Sequence, residues 1–168
     1  MTISLRFAAL AGATALALTS VSAAAVPVDS TGPVQAHATI VKPLTLSKVS
    51  DMDFGSITVL DTGVAHLGAN GSVTCDTTLT CATTGTPAEY KVTGTNNQVV
   101  TITKPPVTLT NTTNPGTDLT LTLTGQGTLT LTNAGAPGTN FKLGGDLNIP
   151  AATKEGTYTG DLNVTVNY

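Results

Sequence analysis

Tryptophan is missing from this sequence, arginine occurs once, at Arg6, and cysteine twice, at Cys75 and Cys81. Charged residues make up only 10%, against about 25% in ordinary globular domains. Beyond the N-terminal segment no window carries helical periodicity. Each absence excludes something. Without clustered lysine or arginine there is no surface for neutralising phosphates, so nucleic acid is not an expected partner. Histidine is confined to His37 and His66, isolated in sequence, so a metal centre is short of ligands. The Cys–His–Met run of a blue-copper site is absent too. No tryptophan, and cysteines this close together, exclude an antibody-type domain, whose bridge joins two sheets beside a tryptophan.

What is present begins with "MTISLRFAALAGATALALTSVSAAAV": one positive charge at Arg6, an apolar run from Phe7 to Val21, then small residues. This is the three-part pattern of a secretory signal peptide. It is expected over residues 1–24, with cleavage after Ala23, Ala24 or Ala25 all compatible. The apolar run is shorter than the ~20 residues of a membrane span, and no later stretch is apolar enough, so no span is expected once the leader is removed. Six lysines then face ten acids, a net charge of −4. Residues 25–33 read as a short N-terminal extension and 34–168 as a single domain large enough for a real core. The expected location is the periplasm, the cell surface or the extracellular space. In that setting a Cys75–Cys81 disulfide is the expected state of "CDTTLTC". Its short loop is worth about 2 kcal/mol in chain entropy. The spacing is not the Cys-x-x-Cys of a redox-active pair.

Threonine, valine and leucine dominate the rest, punctuated by Gly, Asn and Pro, the vocabulary of strands and turns. Val34, Ala36, Ala38, Ile40, Leu44 and Leu46 fall on one parity, predicting a first strand with an edge or bulge at Pro43. "DMDFGSITVL" predicts a strand through Ile57 and Val59, and Asn70-Gly71 a hairpin turn. Tyr90 and Val92, Val100 and Ile102, then Val107 and Leu109 point inward. "TDLTLTLTGQGTLTLTNAG" alternates Leu119, Leu121 and Leu123 with threonines, then Leu129 and Leu131 across "GQG"; this predicts an antiparallel hairpin. Phe141, Leu143, Leu147 and Ile149 alternate with Gly145 on the buried parity, which predicts a bulge or a close backbone contact there. "EGTYTGDLNVTVNY" closes the chain in strict alternation. The expected fold is all-β: an antiparallel, immunoglobulin-like β-sandwich of about eight to ten short strands.

Catalytic constellations are thin. His37 lies on the polar parity of the first predicted strand and His66 in a short strand or turn; both are expected to face solvent. Asp51 and Asp53 are the only close carboxylate pair, and they are expected to cap a turn rather than work as an acid–base couple. "DMD" is too short for a calcium loop. Asn70, Asn111 and Asn163 open glycosylation-type triplets, a frequent coincidence in a threonine-rich chain. Neither an enzyme activity nor a cofactor is expected.

Taken together, the leader, the threonine-rich β pattern and the alternating C-terminal strand resemble pilin-like subunits of the chaperone–usher kind. More closely, "ATIVKPLTLSKVSDMDFGSI", "FKLGGDLNIP" and "GTYTGDLNVTVNY" are similar to a family of bacterial secreted proteins known only as a domain of unknown function. The resemblance implies an exported structural or adhesive protein, a fimbrial-type subunit. Such subunits lack a strand, and the groove left beside the C-terminal strand is filled first by a periplasmic chaperone and then by the N-terminal extension of the next subunit. On this sequence the acceptor residues would be Tyr158, Leu162, Val164, Val166 and Tyr168. The donor would run from Val26 and Val28 through Val34, Ala36, Ala38 and Ile40. The same segment reads equally as a strand paired within its own chain or as a loose terminus. The other functional class the sequence admits is a self-contained ligand-binding β-sandwich.

Overall fold

The computed structural model describes residues 32–168. The expected leader and Val26 and Val28 of the expected donor lie outside the described residues. The chain divides into two units, Met1–Ala38 and Thr39–Tyr168. Of the first, the described residues 32–38 are exposed and form no strand.

The second unit is all-β, with no helix among the described residues. Its strands are β1 (Thr45–Ser50), β2 (Ile57–Val59), β3 (Gly63–Leu67), β4 (Val73–Cys75), β5 (Leu79–Cys81), β6 (Ala88–Thr93) and β7 (Val99–Thr103). They continue as β8 (Val107–Asn111), β9 (Leu119–Thr124), β10 (Thr128–Thr130), β11 (Thr139–Ile149), β12 (Tyr158–Thr159) and β13 (Thr165–Asn167). Every pairing is antiparallel. An eight-stranded sheet runs β1-β6-β11-β9-β8-β12, with β3 also on β11 and β4 on β3. A three-stranded sheet runs β10-β7-β13, and β2 and β5 form a two-stranded one.

The alternation that announces these strands also builds the core. Along β9, Leu119, Leu121 and Leu123 are buried while Thr120 and Thr122 are exposed. Buried side chains of the large sheet (Val92, Leu121, Leu143) and of the small one (Val100, Ile102) belong to one hydrophobic cluster. Two sheets around one core are compatible with a β-sandwich. The strand order does not establish the immunoglobulin-like outline that the sequence pattern suggested, and the strands are shorter and more numerous than expected.

Two sequence expectations are corrected. The parity from Val34 to Leu44 makes no strand: the first begins at Thr45, and its partner β6 offers register only from Thr45 onward. Alternation without a partner ladder is not enough. The leucine run across "GQG" is not a hairpin either. Here β9 pairs with β8 and β11, whereas β10 pairs with β7 in the other sheet. Gly125, at φ 126°, turns the chain out of one sheet, and the Gly127 carbonyl accepts the Ile102 amide at 2.8 Å in the next. The leucines still point inward, because both sheets share the core.

The spine of the large sheet is β11. Its first half pairs with β6 and its second with β3 and β9. Gly144 and Gly145 sit at the changeover, where a Cβ on Gly144 would meet the Leu67 carbonyl and one on Gly145 the Leu121 side chain. Of the two expected outcomes at Gly145, the close contact is the one realised; the ladder with β9 runs on without a bulge.

Candidate functional site

The closing segment does not form one strand. Tyr158 and Thr159 pair with Asn111 and Thr110 at the edge of the large sheet. Thr165–Asn167 pair with β7 at the edge of the small sheet. Residues 160–164 cross between them and belong to no strand. Gly160 makes the crossing possible, since a Cβ there would strike the Thr108 carbonyl. Among the described residues the chain end is therefore an edge twice over, with β12 paired only to β8 and β13 only to β7.

Beside this segment lies a groove of about 900 Å³. Its floor is apolar: Leu109, Leu119, Leu121, Leu147 and Ile149 from the large sheet. One wall is the stretch from Asp51 to Val59, which includes β2; the other is the stretch from Thr153 to Gly160, with Leu162 beyond it. A smaller hollow of about 190 Å³ shares Asp51, Met52, Gly160 and Leu162 with the groove and adds Lys48, Tyr90 and Asp161.

Both walls are fixed by polar contacts. Asn111, the buried polar side chain among the described residues, accepts the amides of Thr113 and Asn114 at 2.9 and 2.8 Å and donates to the Glu155 carbonyl at 3.1 Å. Gly156, at φ 144°, packs directly on the Asn111 side chain. Tyr158 closes the turn by donating its hydroxyl to the Lys154 carbonyl at 2.8 Å. On the opposite wall, Asp53 exchanges backbone hydrogen bonds with Thr86, both 2.8 Å, and its carboxylate accepts the Gly55 amide at 2.8 Å. The β2–β5 ribbon completes this wall, with Ile57 opposite Cys81. Cys81 is disulfide-bonded to Cys75 on β4, with 6.2 Å between their Cα atoms.

The rim is more acidic than basic. Asp51, Asp53, Glu155 and Asp161 line the two hollows against Lys48 and Lys154. Lys48 and Asp51 are paired at 2.9 Å on the surface, and the hydrogen bond that Lys48 donates to the Asp51 carboxylate, with the Asp51 charge, raises the Lys48 ammonium above its ordinary value. Burial raises the Tyr90 phenol likewise, with a smaller push from the Asp51 charge. Inside the groove, Thr153 offers a buried hydroxyl with no hydrogen-bond partner among the described residues.

Of the expected acceptor residues, Tyr158 and Leu162 line the groove. Val164 is buried in the core, Val166 packs against it, and neither lines the groove. Tyr168 acts elsewhere: its hydroxyl accepts the Thr95 amide at 2.8 Å and donates to the Lys42 carbonyl at 2.6 Å. The Lys42 amide in turn donates to the Thr95 hydroxyl at 2.6 Å. These bonds fasten the chain just ahead of β1 to the C-terminus. Of the expected donor residues within the described region, Val34, Ala36, Ala38 and Ile40 are exposed and in no strand.

Other candidates also find their places. His37 is exposed in an irregular segment. His66 faces outward from β3 with its Nδ1 2.9 Å from Asp146 Oδ1, a cross-strand pair that a separation of 80 residues hid from the sequence. Asn70 and Gly71 form the predicted turn between β3 and β4. Among the described residues no group of three or more His, Cys, Asp or Glu could hold a metal ion, and no helix is long and apolar enough to cross a membrane. Sequence reasoning missed the wall from Asp51 to Val59, whose pattern predicts only strand and turn. It also missed the clamp made by Asn111, whose triplet reads as a glycosylation pattern, and Thr153, which carries no local signal.

Over residues 44–168 the sequence matches the domain of unknown function DUF4402. The chain belongs to this family. The DUF4402 region opens one residue before β1 and takes in both walls and the floor of the groove. The exposed residues 34–41 lie outside it. Nothing among curated proteins or solved structures matches the chain.

Proposed function

We propose that this DUF4402 protein is an exported, non-enzymatic structural or adhesive subunit of fimbrial type that assembles by β-strand addition. Its partners are other subunits, of the same or a related kind, with a periplasmic chaperone before assembly. It acts at the cell surface or beyond it, after a leader at residues 1–24 is removed. One observation carries the reading: among the described residues the C-terminal segment is an edge in both sheets and borders an apolar-floored groove of about 900 Å³. An edge leaves backbone donors and acceptors unpaired, and a groove leaves apolar side chains without contacts; an added strand answers both needs. The donor in this reading is the segment of Val26, Val28, Val34, Ala36, Ala38 and Ile40. Residues 32–41 of that segment are exposed.

A second reading, a self-contained ligand-binding module, draws on the size of the groove, which is within the ~300–1,000 Å³ of small-molecule sites. Its unpartnered Thr153 hydroxyl could meet a polar ligand atom. Oligomer mass separates the two. Without residues 1–25 the chain is expected to form species larger than a monomer in light scattering. Further deletion of 26–41 is expected to give monomers. Monomers in both cases sink strand addition and leave the ligand-binding reading.

A further inference from the structure

We propose that the Cys75–Cys81 disulfide is the clasp of the groove wall, so that these two sulfurs govern the shape of the groove more than the stability of the domain. Among the described residues the wall strand β2 has no partner strand except β5, and each is only three residues long. A two-stranded ribbon of that size is marginal by itself. Besides the main chain, its covalent tie to the large sheet is the bridge, because Cys75 belongs to β4, which pairs with β3, and Cys81 lies opposite Ile57 in β2. Ile57 and Val59 are half-buried and face the groove. Leu79 is buried beneath the same ribbon. The bridge closes a loop of only five intervening residues, and loop-closure entropy gives short loops the least global stabilisation. Backbone contacts that do not involve the sulfurs bound the ribbon at both ends: the Asp53–Thr86 and Ser72–Thr84 bridges beyond the Ile57–Cys81 pair, and the Thr78 carbonyl, which accepts the amides of Leu60 and Asp61, beyond the Val59–Leu79 pair. Loosening it therefore stops there.

Opening the clasp is a two-electron reduction. A dithiol such as dithiothreitol gives two electrons and two protons, the Cys75–Cys81 bond breaks into two thiols, and the reductant leaves as a cyclic disulfide. Both sulfur-bearing residues are half-buried rather than sealed in the core. The inference rests on the groove being the functional site, but its test reads the wall itself and is independent of what occupies it.

The test is hydrogen–deuterium exchange on the full chain, oxidised and dithiothreitol-reduced, with a Cys75→Ser, Cys81→Ser double variant as a reductant-free control. The expected result is at least tenfold faster exchange at residues 56–60 and 77–82 in both opened forms, with β9 and β11 unchanged. Unchanged exchange at 56–60 overturns the proposal. So does acceleration spread evenly into β9 and β11, which would make the bridge a global brace. Failure of strand addition leaves either result standing.

Discussion

Tyr90 shows how one side chain ties packing to pH. Its ring stacks on Phe141 at 5.5 Å between centroids, across the β6–β11 pairing, and burial holds its phenol above the ordinary value. A raised folded value means that the stability from the neutral phenol is fully present below the unfolded value, about pH 10, and is lost as pH rises through the folded one. The fold should hold on this account through neutral pH and weaken above pH ~10. Tyr90→Phe keeps the stacked ring and removes the proton, so its stability should fall less steeply over that range than the parent's. Parallel denaturant midpoints from pH 8 to 11 would refute the assignment. Asn111 is a second instance at this scale. Its side chain resembles a glycosylation acceptor in sequence, yet it is buried and spent on Thr113, Asn114 and Glu155. Nothing in "NTTN" tells a buried clamp from an exposed amide, because the carbonyl it holds comes from 44 residues away.

Among the elements, β11 is the one on which the others depend, and its glycine pair is the test of that. On Gly144 a methyl group would meet backbone on β3 and the Thr124 hydroxyl, which cannot all give way. Gly144→Ala should cost about 1–3 kcal/mol, as overpacked sites do. Gly127→Ala, with nothing within 4 Å of the added carbon, should stay within about 0.5 kcal/mol of the parent. Equal thermal midpoints for the two would contradict the role given to β11. These elements also show what period-two alternation can and cannot say. Inward and outward faces were readable for β9, β6 and β11, because burial follows parity. Partners were not. The alternation across "GQG" is the same whether the two runs pair with each other or enter different sheets, and only contacts distant in sequence decide. The segment from Val34 to Leu44 has the right parity and no partner strand among the described residues. The closing stretch alternates without a break yet divides at Gly160, where a close backbone approach sends it from one sheet to the other.

For the whole molecule, the central claim is that a neighbour completes the edge. Of the residues the sequence pointed to beside the C-terminal strand, Tyr158 and Leu162 line the groove, and Val164, Val166 and Tyr168 do not. The wall from Asp51 to Val59 was hidden because it adjoins the C-terminal segment only in the fold. Tyr168 is not on the groove but beneath the root of residues 39–44, where its hydroxyl fixes Lys42. The mass of a mixture tests the claim most directly. One leader-free variant carries Ile40→Asp in the exposed segment, and a second carries Leu162→Asp in the groove. Each alone is expected to sediment as a monomer, the first lacking a donor and the second an acceptor. Mixed in equal amounts, they should form one heterodimer, the intact segment of the second filling the intact groove of the first, with no larger species. A mixture that stays monomeric while the unsubstituted chain oligomerises would contradict the account, as would oligomers of either variant alone.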